Sequence, residues 1–313
     1  MPASFQDVLQ SAEATIAGLG APLSMRALLE YPLRKADQQL KRNPTWPVLH
    51  LPGVLTKAYG LSESVATDLG VACLLLYGFA DLTDDAQDGD LQGDWGWERA
   101  VNAGNALAFL GSEVIGRLAV SPEIRARLAL EFVTAGRKMT FGQEADLLAS
   151  YPRMPSIDEY MTLVARKSGA SVAFFATVAA MAAGAGDHDL RHLHRFGESL
   201  GTYLQVLSDA ADLSAIDSSD LRNRKVTLPL IYGFSRGGSI AETLTRMLEG
   251  AGSPEALNEA LTQAGAMAYC RMKAQLHKRA AETALEALPL TAETKAQLHA
   301  HVEAPLSAPS LDI

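Results

Sequence analysis

The chain has 313 residues and a formal net charge of −9, so it can bury a sizeable core but lacks the basic character of a general nucleic-acid-binding protein. Hydrophobic residues make up 48% of it and aromatic residues only 6%, so its apolar side chains are mostly alanine and leucine, which favour helices. Cys73 and Cys270 lie in apolar stretches and are expected to be reduced core residues. The N-terminus shows no basic segment followed by an apolar one, which argues against a signal peptide and for the cytoplasm.

Apolar residues recur at helical spacing along almost the whole chain, and no run alternates as a strand would. We predict a single all-α domain over residues 1–313, with about ten to twelve helices, of which residues 1–43 form the N-terminal ones. Residues 89–96 and 214–224 are predicted to be loops, and residues 305–313 a loose tail. The helices are expected at residues 4–17, at 22–42, in a segment ending near 60, at 62–88, 97–118 and 122–148, as a pair over 156–183, at 187–213, and in one helix from 227 with three more to about 302.

Residues 169–186 carry no charge and could be mistaken for a membrane span. They are mostly alanine and glycine, and their length is marginal for crossing a bilayer. We therefore predict a buried core helix here, in a chain that is not an integral membrane protein.

Aspartates end the helix predicted over residues 62–88. Asp84 and Asp88 are four residues apart, Asp85 and Asp88 are three apart, and Asp81 lies one turn earlier, so their carboxylates share one helix face. Like charges this close repel, whereas Mg²⁺ binds oxygen ligands and often keeps phosphate as a further partner. The pattern indicates a magnesium site, with a solvated acidic helix end as the alternative.

A second apolar helix, over residues 204–212, also ends in acids, because Asp209 and Asp212 are three residues apart. Two such helices packed side by side would form a metal cage able to neutralise the charge of a departing diphosphate. The apolar residues above the acids would line a dry cavity in which a carbocation survives. Candidates to stabilise that cation through their ring faces are Tyr77, Phe79 and either Phe174 or Phe175.

Over about residues 40–235 the chain resembles the trans-isoprenyl diphosphate synthases, within the class I isoprenoid synthase superfamily. The resemblance depends on five elements that occur in the expected order. They are Asp84, Asp85 and Asp88; Gly142-Gln143 with Asp146-Leu147; Lys167-Ser168; Gln205 with Asp209 and Asp212; and the segment from Lys225 to Pro229. The resemblance implies a helical bundle around a central cavity, dependence on Mg²⁺, and a homodimer.

The resemblance also implies roles for the acidic residues. Asp84 and Asp88 would ligate Mg²⁺ with support from Asp85. Asp209 and Asp212 would bind a further Mg²⁺ from the facing helix.

For the substrate, the resemblance implies that Lys167 and Lys225 contact an allylic diphosphate as point charges and that Gln143 lies near the reacting carbons. Phe79 would form the floor of the pocket and restrict the prenyl group to about ten to fifteen carbons, or about twenty at most. The remaining expected substrate contacts are Tyr77, Phe175 and Gln205.

The sequence departs from the family pattern in several places. Ser208 stands where an aspartate normally begins the second motif, which weakens one metal ligand. The basic element expected near residues 45–47 is missing, with only Lys41 and Arg42 nearby, and residues 89–92 replace an expected arginine pair. Tyr77 stands where a histidine is common. In chain-elongating members these basic groups hold isopentenyl diphosphate, and a second diphosphate beside acids without them would be electrostatically costly.

We therefore predict an enzyme that uses Mg²⁺ to ionise an allylic prenyl diphosphate and transfers the prenyl cation to an acceptor other than isopentenyl diphosphate in the usual mode. Two alternatives stay open. One is cyclisation by a class I terpene synthase, and the other is a catalytically idle regulatory subunit.

Overall fold

The computed structural model describes residues 4–213 and 223–303, apart from the side chain of Asp212. The all-α prediction is confirmed within these residues. The helices are α1 Phe5–Gly18, α2 Leu23–Arg42, α3 Pro47–Ala58, α4 Glu63–Asp88, α5 Trp97–Arg117, α6 Pro122–Leu148, α7 Ile157–Val164, α8 Ala170–Ala182, α9 Asp187–Asp212, α10 Leu228–Ser235, α11 Gly238–Leu248, α12 Pro254–Ala264, α13 Ala266–Glu286 and α14 Ala292–Glu303, with a π-helical segment at Ala165–Gly169 between α7 and α8. Most of the loop predicted over residues 214–224, and the tail predicted over residues 305–313, lie outside the described residues.

Local sequence signals account for many of the helix ends. Ser62 caps α4 by accepting a hydrogen bond from the backbone N–H of Val65, which leaves one fewer unpaired N–H in the first turn. Gly89 ends the same helix with a φ of 76°, a left-handed conformation that glycine adopts without strain. Capping serines also precede α1, α6, α7 and α12. The positions of the helices up to α9 follow the prediction closely for this reason.

The prediction was wrong at the C-terminal end, where four helices rather than three follow α10 within the described residues. The break between α12 and α13 is a single residue, Gly265, with a φ of 71°. A left-handed residue at this position turns the chain sharply, so a stretch with uninterrupted helical composition folds as two helices.

The long helix α4 lies at the centre of the bundle and packs against α1, α2, α3, α5, α6 and α8. Helix α9 packs against α8 and α13 on the other side. The π-helical segment contacts both α6 and α9, so it lies between the acidic ends of α4 and α9. Glycines allow these close approaches: a Cβ on Gly142 of α6 would lie 2.4 Å from the backbone nitrogen of Lys167, and one on Gly201 of α9 would lie 2.5 Å from the carbonyl oxygen of Ser168.

Two stretches of the described chain are long and apolar enough to cross a membrane, Glu63–Asp88 and Ile157–Ala182. Most of each apolar window is buried inside the protein, 61% and 72% respectively. The core helices of a soluble protein pass the same length and composition test, and α8 is indeed buried along nearly its whole length. The helix predicted within residues 169–186 is therefore a buried core helix, as expected.

Candidate active site

Three carboxylates from two helices lie together at one end of the bundle. Single oxygen atoms of Asp84, Asp88 and Asp146 all lie within 4.8 Å of one another. Lys167 donates to Asp84 Oδ1 at 2.9 Å and to Asp146 Oδ2 at 2.7 Å, while Lys225 donates to Asp88 Oδ2 at 2.5 Å and to Asp146 Oδ2 at 3.1 Å. Asp146 therefore accepts from both lysines and joins the two halves of the site. We call these three aspartates the acidic triad.

The members of the site come from four parts of the chain. Asp84 and Asp88 lie in the last turns of α4, and Asp146 lies near the end of α6. Lys167 comes from the π-helical segment. Lys225 is positioned by an isolated β-bridge to Ser150, and the side chain of Asn223 donates to the backbone carbonyl of Asp88 at 2.8 Å.

Burial and the neighbouring charges shift the pKa values of these groups in different directions. Burial raises the pKa of Asp88, and the nearby Asp84 carboxylate adds to this effect. Burial alone would also raise the pKa of Asp146, but Lys167 and Lys225 outweigh it and lower that pKa below its usual range. The pKa of Lys167 is raised because Asp84 and Asp146 overcome the opposing effect of its burial. The fold thus favours a charged Asp146 and disfavours a charged Asp88.

Asp85 faces away from the acidic triad and belongs to a second ion-pair group with α2. Its Oδ2 accepts hydrogen bonds from Tyr31 and from Lys35, each at 2.7 Å. Lys35 also donates to Asp81 Oδ1 at 2.9 Å, and the hydroxyl of Tyr77 donates to the same oxygen at 2.7 Å. Asp85 thus links α2 to the acidic end of α4.

Asp209 lies on the far side of the π-helical segment, in a chain of hydrogen bonds that leads back to the triad. Tyr160 donates to its Oδ2 at 2.5 Å, and Gln205 donates to its Oδ1 at 2.7 Å. Ser168, the neighbour of Lys167, donates to Gln205 Oε1 at 2.5 Å. The carboxylate of Asp209 is buried, and its oxygens are not among those that converge at the triad. The predicted ligand Asp212 has its side chain outside the described residues.

A cavity of about 420 Å³ opens beside the triad and extends into the bundle between α4, α5, α6 and α8. Four of the five side chains expected to bind substrate line it: Tyr77, Phe79, Phe175 and Gln205. The other, Lys225, is not among the lining residues and lies at the triad. Other lining residues include Asp81, Asp84, Lys167, Gln143, Met139, Val101 and Leu147. Phe174 does not line the cavity, because it packs edge-on against Phe132 in the core. Asp84 of α4 and Gln205 of α9 line the same cavity, whereas Asp209 is not among its lining residues.

Gln143 lies on α6, and its side chain is hydrogen-bonded to α4. Its Nε2 donates to Gln87 Oε1 at 3.0 Å. Its Oε1 is buried and has no hydrogen-bond partner among the described residues. A buried amide oxygen without a partner is uncommon in a folded protein.

The place where a basic element was expected near residues 45–47 is occupied by an aromatic pair. Trp46 is buried and packs edge-on against Tyr77, with 4.7 Å between the ring centroids. The nearby Lys41 points away and pairs with Asp37 at 2.6 Å on the exposed face of α2. Among the described residues that line the cavity, the only lysine or arginine is Lys167.

The polyprenyl synthetase family model matches residues 87–264, which is more than half of the chain. The chain belongs to the polyprenyl synthetase family. Curated relatives include the nonaprenyl diphosphate synthase of Mycobacterium tuberculosis, 27% identical over 58% of this chain and 56% of the relative. The (2E,6E)-farnesyl diphosphate synthase of Mycobacterium bovis is 28% identical over 69% of this chain and 64% of the relative. The chain thus spans a little more than half to just under two thirds of the length of these two relatives.

Solved structures confirm the fold over nearly the whole chain. The geranylgeranyl pyrophosphate synthetase from Pyrococcus horikoshii Ot3 superposes with a TM-score of 0.80, at 23% identity and with 95% of each chain covered. A polyprenyl synthetase from Streptomyces coelicolor A3(2) has a TM-score of 0.77 at 21% identity, over 94% of this chain and 95% of the other. The single helical bundle predicted from the sequence is the fold of these proteins.

Sequence reasoning missed three features of this site. Asp146 was noted only as part of the glycine-glutamine element, although its carboxylate completes the acidic triad. Tyr160 holds Asp209 from 49 residues away, and Lys35 reaches Asp85 from 50 residues away. The spacing of Gln143 and Asp146 on α6 was the one available signal, because residues three apart share a helix face.

Proposed function

We propose that this protein uses Mg²⁺ to ionise an allylic prenyl diphosphate inside the bundle. The observation that carries the proposal is the position of the acidic triad and two lysines at the edge of a cavity with aromatic walls. Such a site presents charge to a diphosphate and an apolar space to its prenyl chain. The names of the relatives, which are prenyl diphosphate synthases, support the same substrate class.

The acidic triad fits Mg²⁺ by its donor set. Three carboxylates supply the hard oxygen ligands that Mg²⁺ prefers, and Asp84, Asp88 and Asp146 are the residues that would hold it. When bound, the metal would neutralise the negative charge that a departing diphosphate develops. We retain Asp209 and Asp212 as proposed ligands of a further ion on α9.

Lys167 and Lys225 have two tasks in this proposal. In the metal-free protein they offset two of the three negative charges of the triad through the ion pairs described above. When a divalent cation takes over the carboxylates, the two ammonium groups become available to a diphosphate as compact positive charges. Gln143 would present the negative end of its amide dipole, the unpaired Oε1, toward the prenyl cation.

The cavity walls serve the prenyl group and its cation. Phe79 and Phe175 supply ring faces whose negative electrostatic potential stabilises a nearby carbocation. The apolar lining keeps water away from that cation until it has reacted. Phe79 bounds the space available to the chain, so we propose a substrate of about ten to twenty carbons.

We propose that the acceptor of the prenyl cation is not isopentenyl diphosphate in the usual mode. Lys167 is the only lysine or arginine among the described residues that line the cavity, and it already faces the triad. A second diphosphate would meet the Trp46–Tyr77 pair and Asp81 instead of arginines. Placing an anion there would cost electrostatic energy, because Lys35, the cation beside Asp81, is already paired with Asp81 and Asp85.

Cyclisation is the second candidate, and the same aromatic pair favours it. Without an acceptor anion site, the cation can react only with its own double bonds or with a neutral molecule. Tyr77 lines the cavity and Trp46 supports it from behind, which extends the aromatic wall along the space the chain would fill.

We also propose that the protein acts as a homodimer in the cytoplasm. Large apolar side chains stand exposed on neighbouring faces of α5 and α6, among them Phe109 at 73% and Leu130 at 69% exposure. Val133 and Phe141 extend this face. A second copy of the chain would cover them.

The test is product analysis with Mg²⁺ and geranyl, farnesyl or geranylgeranyl diphosphate, each with and without isopentenyl diphosphate. We expect pyrophosphate release from at least one allylic substrate without isopentenyl diphosphate. Asp84→Ala should abolish it; a wild-type protein as inactive as this variant would indicate an idle subunit. Efficient formation of a longer linear diphosphate would refute the proposed acceptor while leaving the ionisation step in place.

A further inference from the structure

Asp81 differs from the other acids of α4 because its carboxylate belongs to the cavity wall and not to the acidic triad. Its side chain is only 13% exposed. Oδ1 accepts hydrogen bonds from Lys35 at 2.9 Å and from the hydroxyl of Tyr77 at 2.7 Å. Oδ2 is buried and has no hydrogen-bond partner among the described residues.

A buried carboxylate oxygen without a donor is costly, and such an exception calls for an explanation. Lys35 and Tyr77 fix the orientation of the group through one oxygen and leave the other unsatisfied. The pKa of Asp81 is raised, because burial outweighs the opposing effect of Lys35. A carboxylate in these surroundings binds a proton more readily than one in water.

We infer that Asp81 is the proton acceptor that ends the reaction of the prenyl cation. This inference rests on the proposed ionisation of an allylic diphosphate and adds the fate of the cation to it. After the diphosphate has left, a C–H bond on the carbon next to the cationic centre breaks. Its electron pair forms a new C=C bond, and the proton passes to the carboxylate of Asp81, which lines the cavity and has one oxygen without a donor. The products are a neutral alkene, a protonated Asp81 and free pyrophosphate, so charge and atoms balance without another reactant.

Lys35 and Tyr77 are positioning residues in this scheme, since they act through Asp81 and not on the substrate cation. Lys35 is held in turn by Asp85 at 2.7 Å, and Tyr77 is packed against Trp46. The carboxylate is therefore clamped from two helices at a fixed place in the wall. A fixed base selects which neighbouring carbon loses its proton.

The experiment compares the full-length protein with Asp81→Asn, using Mg²⁺ and each of the three allylic diphosphates. Pyrophosphate release and the identity of the neutral products are measured separately, the latter by gas chromatography and mass spectrometry. Asn keeps the shape of the side chain but cannot accept the proton, so alkene formation is expected to fall about 100-fold. Pyrophosphate release continues, and the cation is captured by water as a prenyl alcohol. Asp37→Asn, which breaks an exposed aspartate–lysine pair on α2, should change neither measurement.

Asp81→Glu provides the second variant and decides the question if Asp81→Asn does not fold. It restores a carboxylate one methylene further out, so alkene should form again with a different distribution of double-bond isomers. An unchanged alkene share in Asp81→Asn, an unchanged isomer distribution in Asp81→Glu, or a wild-type product mixture without alkene would each overturn the role of Asp81 alone. Absence of pyrophosphate release from the wild-type protein would overturn the proposed function as well, which separates the two failures.

Discussion

Removing one charge from the acidic triad should have opposite effects on stability at two of its positions. Two unit charges 4.8 Å apart repel by about 3.5 kcal/mol at the effective dielectric of a protein surface. At Asp88 burial and this repulsion raise the pKa, so at neutral pH the charge costs stability. At Asp146 the two lysines lower the pKa, so the charge contributes stability above the pKa of the unfolded chain. Without metal, we expect Asp88→Asn to raise the unfolding temperature and Asp146→Asn to lower it.

Adding Mg²⁺ should affect both variants in the same way. A ligand at about 100 times its dissociation constant stabilises the native state by about 2.7 kcal/mol. For 313 residues the entropy of unfolding is about 0.66 kcal/mol per kelvin, so the wild-type unfolding temperature should rise by about 4 °C. Either variant loses one of the three carboxylates, and we expect this increase to disappear in both.

Differential scanning calorimetry with and without MgCl₂ measures both effects, with Ca²⁺ as a second hard cation and Na⁺ at matched ionic strength as the salt control. Asp37→Asn is the matched control, because it removes an exposed aspartate that also pairs with a lysine. The reasoning is refuted if Asp88→Asn and Asp146→Asn shift the metal-free unfolding temperature in the same direction. It is also refuted if either variant keeps the full response to Mg²⁺.

Three further predictions concern the core, the cavity and pH. Gly142→Ala should lower the free energy of unfolding by about 1–3 kcal/mol in chemical denaturation, because the new Cβ would lie 2.4 Å from the backbone nitrogen of Lys167. Gly136→Ala on the same helix is the control. Its Cβ meets only an ordinary contact at 3.7 Å, so this variant should not be destabilised. Phe79→Ala should raise the ratio of kcat/KM for geranylgeranyl diphosphate to that for farnesyl diphosphate by about tenfold in steady-state assays, because the enlarged cavity would accept a longer prenyl chain. An unchanged ratio would show that another residue forms the floor of the cavity. Burial lowers the pKa of His301 to about 3. Between about pH 6.5 and pH 3 the unfolded chain therefore binds a proton at this residue that the folded protein does not, and the free energy of unfolding falls as the pH is lowered. Urea denaturation across this range should show a weaker pH dependence in His301→Gln.

Much of the fold could be predicted from local signals, and the candidate site only in part. Ser62 and Gly89 mark the ends of α4 in the sequence, because capping and left-handed termination depend on a few adjacent residues. The π-helical segment has no such signal, since residues around Lys167 have ordinary helical composition and the extra residue in that turn follows from packing. The pairing of Asp146 with Asp84 could not be predicted either, because residue spacing shows which side chains share a helix face but not which helix packs against that face.

The lysines resolve a difficulty that the sequence raises. Three carboxylates must be assembled before any metal binds, and alone they would oppose the folding of α4 against α6. Lys167 and Lys225 supply two positive charges to the three negative ones, so the metal-free bundle closes with a nearly balanced site. The same ion pairs hold both ammonium groups beside the place where a diphosphate would dock. Under the proposed function, such a site needs no large rearrangement to pass from the metal-free protein to one that binds magnesium and an anion. The exchange of partners would take place among side chains already within hydrogen-bonding distance.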